Sequence, residues 1–101
     1  VAAAPDVYWV EFVPCRPDLH GTMKDEEQVL MIGHLKWLEA IQEAGRLEFA
    51  GRASDASHGL AIIHVKDEPA LTRLLDDNPA CKAGVLVPQW KPYLLPKRPG
   101  R

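Results

Sequence analysis

Cysteine is scarce in this chain. Cys15 and Cys81 are the only two, they lie far apart and form no C-x-x-C pair, so neither a disulfide framework nor a thiolate metal site is specified. Reduced thiols are expected, as in a reducing compartment. The four histidines, His20, His34, His58 and His64, show no i, i+4 pairing and no H-E-x-x-H pattern, so no metal is expected. A nucleophile elbow and a phosphate loop are missing too, which argues against hydrolase and kinase chemistry. No apolar run approaches the ~20 residues that span a bilayer. Val1 to Pro5 carries no basic region followed by an apolar core, so no signal peptide is read there and a cytoplasmic location is expected. A surplus of positive charge is likewise absent. With a formal net charge of −2, nucleic acid and anionic membrane are not the expected partners, since both demand a basic face. There is no internal repeat and no low-complexity segment.

What is present is an ordinary globular composition, 47% apolar and 26% charged over 101 residues, which fits one domain with a single core. That domain is expected over residues 1–95, with 96–101 a solvated basic tail. Its most informative stretch is Thr22 to Gly45, TMKDEEQVLMIGHLKWLEAIQEAG. At about 100° per residue, Leu30, Met31, Trp37, Leu38 and Ile41 share one stripe, and His34 stands at its centre where a leucine belongs. Thr22 is expected to cap the helix, with Asp25 completing a capping box, and Gly45 to stop it. Asp25, Glu26 and Glu27 suit the positive end of the helix dipole.

Val7 to Val13, VYWVEFV, reads as a strand apolar on both faces and therefore central. Pro14 and Pro17 end it, and Cys15 to Gly21, with Arg16 and His20, reads as a connection with the reach to cover a pocket. Arg46 to Arg52 alternates, with Leu47 and Phe49 to one side and Arg46, Glu48 and Arg52 to the other, as in a half-buried or edge strand. Ser54 to Gly59 is a turn cluster, and Leu60 to Lys66 a second strand apolar on both faces, making a hairpin. Asp67 caps a second helix with Pro69 in its first turn and Leu71, Leu74 and Leu75 buried; it ends by Asn78, before Pro79. After a short turn at Ala80 to Gly84, Val85 to Leu95 reads as an edge strand, because Pro88 and Pro92 cannot donate to a ladder.

The order strand, helix, strand, strand, helix, strand, joined by right-handed crossovers, gives an α+β, ferredoxin-like βαββαβ fold: a four-stranded antiparallel sheet with both helices on one face. Two strands apolar on both faces then leave an exposed patch, and a homodimer packed sheet against sheet is expected to cover it. Glu11, on the uncovered face, would need a partner group there.

From His34 to Trp90 the chain resembles the YciI-like (YCII-related) family of the dimeric α+β barrel superfamily. The matching residues are H-L-x-x-L at His34, Leu35 and Leu38, A-G-R-L at Ala44 to Leu47, A-G at Ala50 and Gly51, N-P-A-C-K-A-G-V at Asn78 to Val85, and Trp90. Pro17 and Asp18, after the first strand, also look faintly like the muconolactone isomerase branch. The resemblance implies dimers of ferredoxin-like subunits with a pocket between helices and sheet. It also implies cofactor-independent proton transfer, an isomerisation, elimination or cyclisation on small aromatic, lactone or polyketide-like molecules. In such proteins a histidine of the first helix pairs with an aspartate just before the proline that ends the second. His34 matches the histidine, but Asn78 stands at the acid's position. Asp77 is adjacent, about 100° away around the helix. Asn78 is expected to accept a hydrogen bond from an imidazole N–H and so fix the tautomer.

A buried imidazole with an ordinary pKa near 6.5 can take up and return a proton at neutral pH, so His34 is the candidate catalytic group, with Asn78 or Asp77 as its partner. Against this stands a core histidine satisfied by a carbonyl. Arg52, after Gly51, is placed to clamp a carboxylate or enolate, against a plain surface arginine. Trp37, one turn from His34, is a candidate pocket wall, and Tyr8 and His64 are further substrate-binding candidates. Tryptophans are more often core or interface, His64 also suits packing against a dimer partner, and His58 reads as solvated. The expected function is a small cofactor-free isomerase, lyase or cyclase using His34. The alternative is a non-catalytic dimeric module that binds a small molecule or a protein in the same cleft.

Overall fold

The computed structural model describes residues 7–95. The basic tail, 96–101, and the Val1 to Pro5 segment lie outside the described residues. The elements run β1 (Val7–Pro14), α1 (Leu19–Thr22), α2 (Asp25–Glu43), β2 (Leu47–Arg52), β3 (Gly59–Ile63), α3 (Glu68–Asp76), α4 (Pro79–Lys82) and β4 (Leu86–Tyr93). The strands form one four-stranded sheet in the order β2-β3-β1-β4, with every neighbouring pair antiparallel. This is the expected ferredoxin-like α+β arrangement, with the doubly apolar strands β1 and β3 in the middle. Pro88 and Pro92 sit on the edge strand β4, where a missing N–H leaves no gap in a central ladder.

One core lies between sheet and helices. Tyr8, Val10 and Phe12 of β1 meet Trp37 and Ile41 of α2 and Leu71 and Leu75 of α3 there, all buried. The stripe read from the α2 sequence is the face that packs: His34, Trp37 and Ile41 are buried, and Leu30, Met31 and Leu38 pack against the same core. Gly45 ends α2 at φ +75°. Its N–H returns to Gln42 O and that of Arg46 to Ile41 O, at 3.0 and 2.9 Å, the paired bonds of a Schellman stop. Asp67 caps α3 as its sequence implies, accepting from Ala70 N–H at 2.9 Å.

Several local expectations change, beginning with the Cys15 to Gly21 connection, which carries the short helix α1. α2 starts at Asp25 with Lys24 at the cap, because the Thr22 hydroxyl is engaged elsewhere: it donates to Asp18 O at 3.0 Å and accepts from Arg16 Nε at 2.9 Å. The carboxylate that reaches back is Glu27, not Asp25, accepting from Lys24 N–H at 2.9 Å. The Ala80 to Gly84 turn begins with a helical turn, α4, and β3 closes at Ile63 rather than Lys66. Finally, β2 is bulged: Leu47 stands opposite Ile63 but Phe49 opposite Ile62. The extra residue, Glu48, shifts the face parity of all that follows. Leu47 and Phe49 therefore face opposite sides. Leu47 packs on the core, and Phe49 is exposed on the open side of the sheet.

Among the described residues no helix covers that open side. The register places Trp9, Leu60, Phe49, Val87 and Tyr93 on it together, and Trp9 stacks on Tyr93 at 5.3 Å between ring centroids.

Candidate functional site

His34 is held from three sides. Phe12 of β1 meets its ring edge-on at 4.8 Å, and Trp37, one turn along α2, lies nearly parallel behind it at 6.2 Å. On the third side Asn78, fully buried between α3 and α4, approaches Nδ1 at 2.8 Å through its amide nitrogen. The amide oxygen of Asn78 is engaged by the first turn of α4, where it accepts from the N–H groups of Ala80 at 3.0 Å and Cys81 at 3.2 Å. Asn78 is thus at once an N-cap and a support for the imidazole. It donates to His34 rather than accepting from it, the reverse of the direction expected from the sequence, because the two backbone N–H groups claim its only acceptor. Burial pushes the His34 pKa below the ordinary imidazole value.

The remaining edge of His34 opens on a cleft of about 500 Å³ between α2 and the ends of β1, β2 and β4. Nε2 bonds to no other described residue and is not sealed from solvent. The walls are mostly apolar, with Phe12, Met23, Met31 and Leu86 among them, and four cationic or titratable side chains reach in: His20, His34, Arg52 and His58. The β2 bulge delivers Arg52. It lifts Arg52 opposite Gly59 on the helix-facing side, whereas strict alternation from Leu47 would have turned it to the open face.

His20 and Met23 come from the segment around α1, and one ion pair fixes that segment. The Arg16 guanidinium forks onto Glu27 of α2, Nη1 to Oε2 and Nη2 to Oε1, both 2.8 Å, and also donates to the Thr22 carbonyl at 2.8 Å. This pairing, followed by the Lys24 N–H bond, lowers the Glu27 pKa to about 2. A carboxylate depressed in the folded state stabilises it above its ordinary value of 4.5, and that contribution is lost as pH falls toward about 2. The difference in thermal midpoint between the protein and its Glu27→Gln variant should therefore shrink as pH drops through this window. A difference that stays constant would show that the clamp contributes nothing.

Several sequence candidates lie elsewhere. Asp77 is exposed at the C-terminus of α3 and, with His64, lines a separate open depression of about 680 Å³ beside Arg46, Lys66 and Arg73. The one-residue rotation that turns Asn78 inward turns Asp77 out. His64 lies 3.4 Å from the Glu48 carboxylate. Trp37 does not line the cleft: its indole N–H donates to Leu74 O at 2.9 Å, which fixes it behind His34. Tyr8 is 5% exposed in the core. Conversely His58, read as solvated, lines the cleft, its Nδ1 3.0 Å from Ser57 Oγ. Among the described residues no group of three or more His, Cys, Asp or Glu side chains is placed to hold a metal ion, and no helix is long and apolar enough to cross a membrane.

Fold and cleft together define a ferredoxin-like α+β domain with a histidine set between its first long helix and the sheet. The chain belongs to the YCII-related domain family, whose model matches residues 7–90. No curated protein matches it. Among solved structures it is similar to 5-chloro-2-hydroxyhydroquinone dehydrochlorinase from Burkholderia phenoliruptrix AC1100, in complex with 2,5-dihydroxybenzoquinone. The TM-score is 0.59 over 85% of this chain and 92% of that one, at 15% identity. At that identity the likeness bears on the fold.

Proposed function

We propose that the chain is a small enzyme acting on a small aromatic or quinonoid molecule bound in the His34 cleft, by elimination or isomerisation beside a carbonyl or phenol. His34 is the group in contact with the reacting atoms, Asn78 holds it, and Arg52 pairs with an anionic oxygen of the substrate. In keeping with the family resemblance, the chemistry needs no metal or cofactor. The observation that carries this reading is an imidazole fixed on one nitrogen by a buried amide while its other nitrogen opens on a mostly apolar cleft. About 500 Å³ falls in the range of small-molecule sites. The fold neighbour is a dehydrochlorinase of a hydroxylated aromatic, seen with a dihydroxybenzoquinone, which supports the ligand class. Incubation with halogenated and non-halogenated hydroxyhydroquinones, followed by absorbance and halide release, should show turnover. Binding without turnover across the panel would favour the alternative, a non-catalytic small-molecule module, to which the amide in place of a carboxylate lends itself.

The same reading includes a homodimer. A sheet face bearing Trp9, Val87 and Tyr93, with no helix over it among the described residues, is the kind of apolar patch a second subunit covers. Sedimentation should give a dimer at micromolar concentration, and Phe49→Lys with Val87→Lys should shift it toward monomer. A wild-type monomer at that concentration would refute this part.

A further inference from the structure

We infer that Asn78 fixes His34 as the Nε2–H tautomer, so that the ring meets its ligand as a hydrogen-bond donor, and the cleft takes molecules that place an acceptor oxygen, a ring carbonyl or a phenolate, against it. The ligand half of this rests on the cleft being the substrate site; the tautomer does not.

Ala80 and Cys81 present two backbone N–H groups to one Asn78 atom, at 3.0 and 3.2 Å, and only an oxygen can accept them. Turning the amide over would set its NH₂ against both donors, in a residue with no exposure to water that could relieve the clash. The nitrogen is therefore the atom 2.8 Å from His34 Nδ1, and it can only donate. Nδ1 must offer a lone pair, and a neutral imidazole has one proton, which is left on Nε2. Protonating Nδ1 as well would convert a hydrogen bond into two opposed donors, so the imidazolium is disfavoured in place.

The Nε2–H points to the cleft with no protein acceptor among the described residues. A neutral imidazole in this state polarises a carbonyl or holds a developing oxyanion, and does not abstract a proton through Nε2. A proton acceptor, where the reaction needs one, is then another cleft side chain, His20 or His58. An aspartate at position 78 would still cap α4 but would have to accept from Nδ1–H, reversing the tautomer without changing the shape of the side chain.

Long-range ¹H–¹⁵N correlation spectra of the free protein, with the His34 ring assigned through its Cβ, read the tautomer directly. The expected pattern is a protonated Nε2 and a bare Nδ1, reversed in Asn78→Asp. A protonated Nδ1 in the wild-type protein would overturn the inference whatever the cleft binds. With 4-nitrophenol as probe, the wild-type protein should bind the phenolate and move the Nε2–H resonance, with affinity falling about tenfold or more in Asn78→Asp. Binding that leaves that resonance unmoved, or no binding, would overturn the donor role while leaving the turnover test of the proposed function standing.

Discussion

Replacing His34 by glutamine should leave the protein folded and remove turnover by about 10² or more. Glutamine keeps a polar group of similar bulk under Phe12, and its amide oxygen can take the Asn78 N–H now received by Nδ1. What it lacks is the ring nitrogen carried out to the cleft. Loss of a general acid–base group costs about 10² to 10⁴-fold, and loss of one preorganised donor to an oxyanion about 10² to 10³-fold. Either role therefore gives a deficit well above assay error. A structural histidine would behave differently: turnover by the folded fraction would persist, whatever the change in stability. Unfolding midpoints and initial rates on the same preparation separate the two, and an unchanged rate would remove His34 from the mechanism.

Gly33→Ala should destabilise the protein and disturb the site as well, although alanine is the better helix former by about 1 kcal/mol. A Cβ built at position 33 would stand 2.6 Å from Cγ of Pro79, closer than real contacts allow. The clashing atom belongs to a ring at the first position of α4, so it cannot swing aside. Overpacking of this kind costs about 1 to 3 kcal/mol, which outweighs the helical gain over most of that range. Relief requires α4 to move from α2, and Asn78 moves with it, lengthening the bond that holds His34. Urea titration should show a lower midpoint with the m-value kept, and rates should fall together with it. A variant more stable than the parent would mean that α4 yields freely and that its contact with α2 does not set the site.

Much of this was legible in the sequence where a periodicity or a local rule decides. The α2 stripe, the Gly45 stop, the Asp67 cap and the edge placement of the proline-bearing strand all follow from near neighbours in the chain. What escaped depends on partners distant in sequence or on a break in period. Thr22 has the side chain of a cap, but Arg16 claims its hydroxyl and Glu27 claims Arg16. The Glu48 bulge has no glycine or proline to announce it, yet it decides that Arg52 faces the cleft. Asn78 was identifiable as the neighbour of His34. The direction of its hydrogen bond was not, since that depends on α4 beginning at Pro79 and turning two N–H groups on its oxygen. His20 lies in the single helical turn α1 and His58 in the loop before β3, segments too short for a periodicity to mark the side that faces the site.

A crystal structure with a small hydroxylated quinone bound should show one of its oxygens within about 2.6 to 3.2 Å of His34 Nε2, with the ring between α2 and the sheet and Arg52 on its far side. A ligand lodged instead in the Arg46, Lys66 and Arg73 depression, with the His34 cleft empty, would contradict this reading of the site.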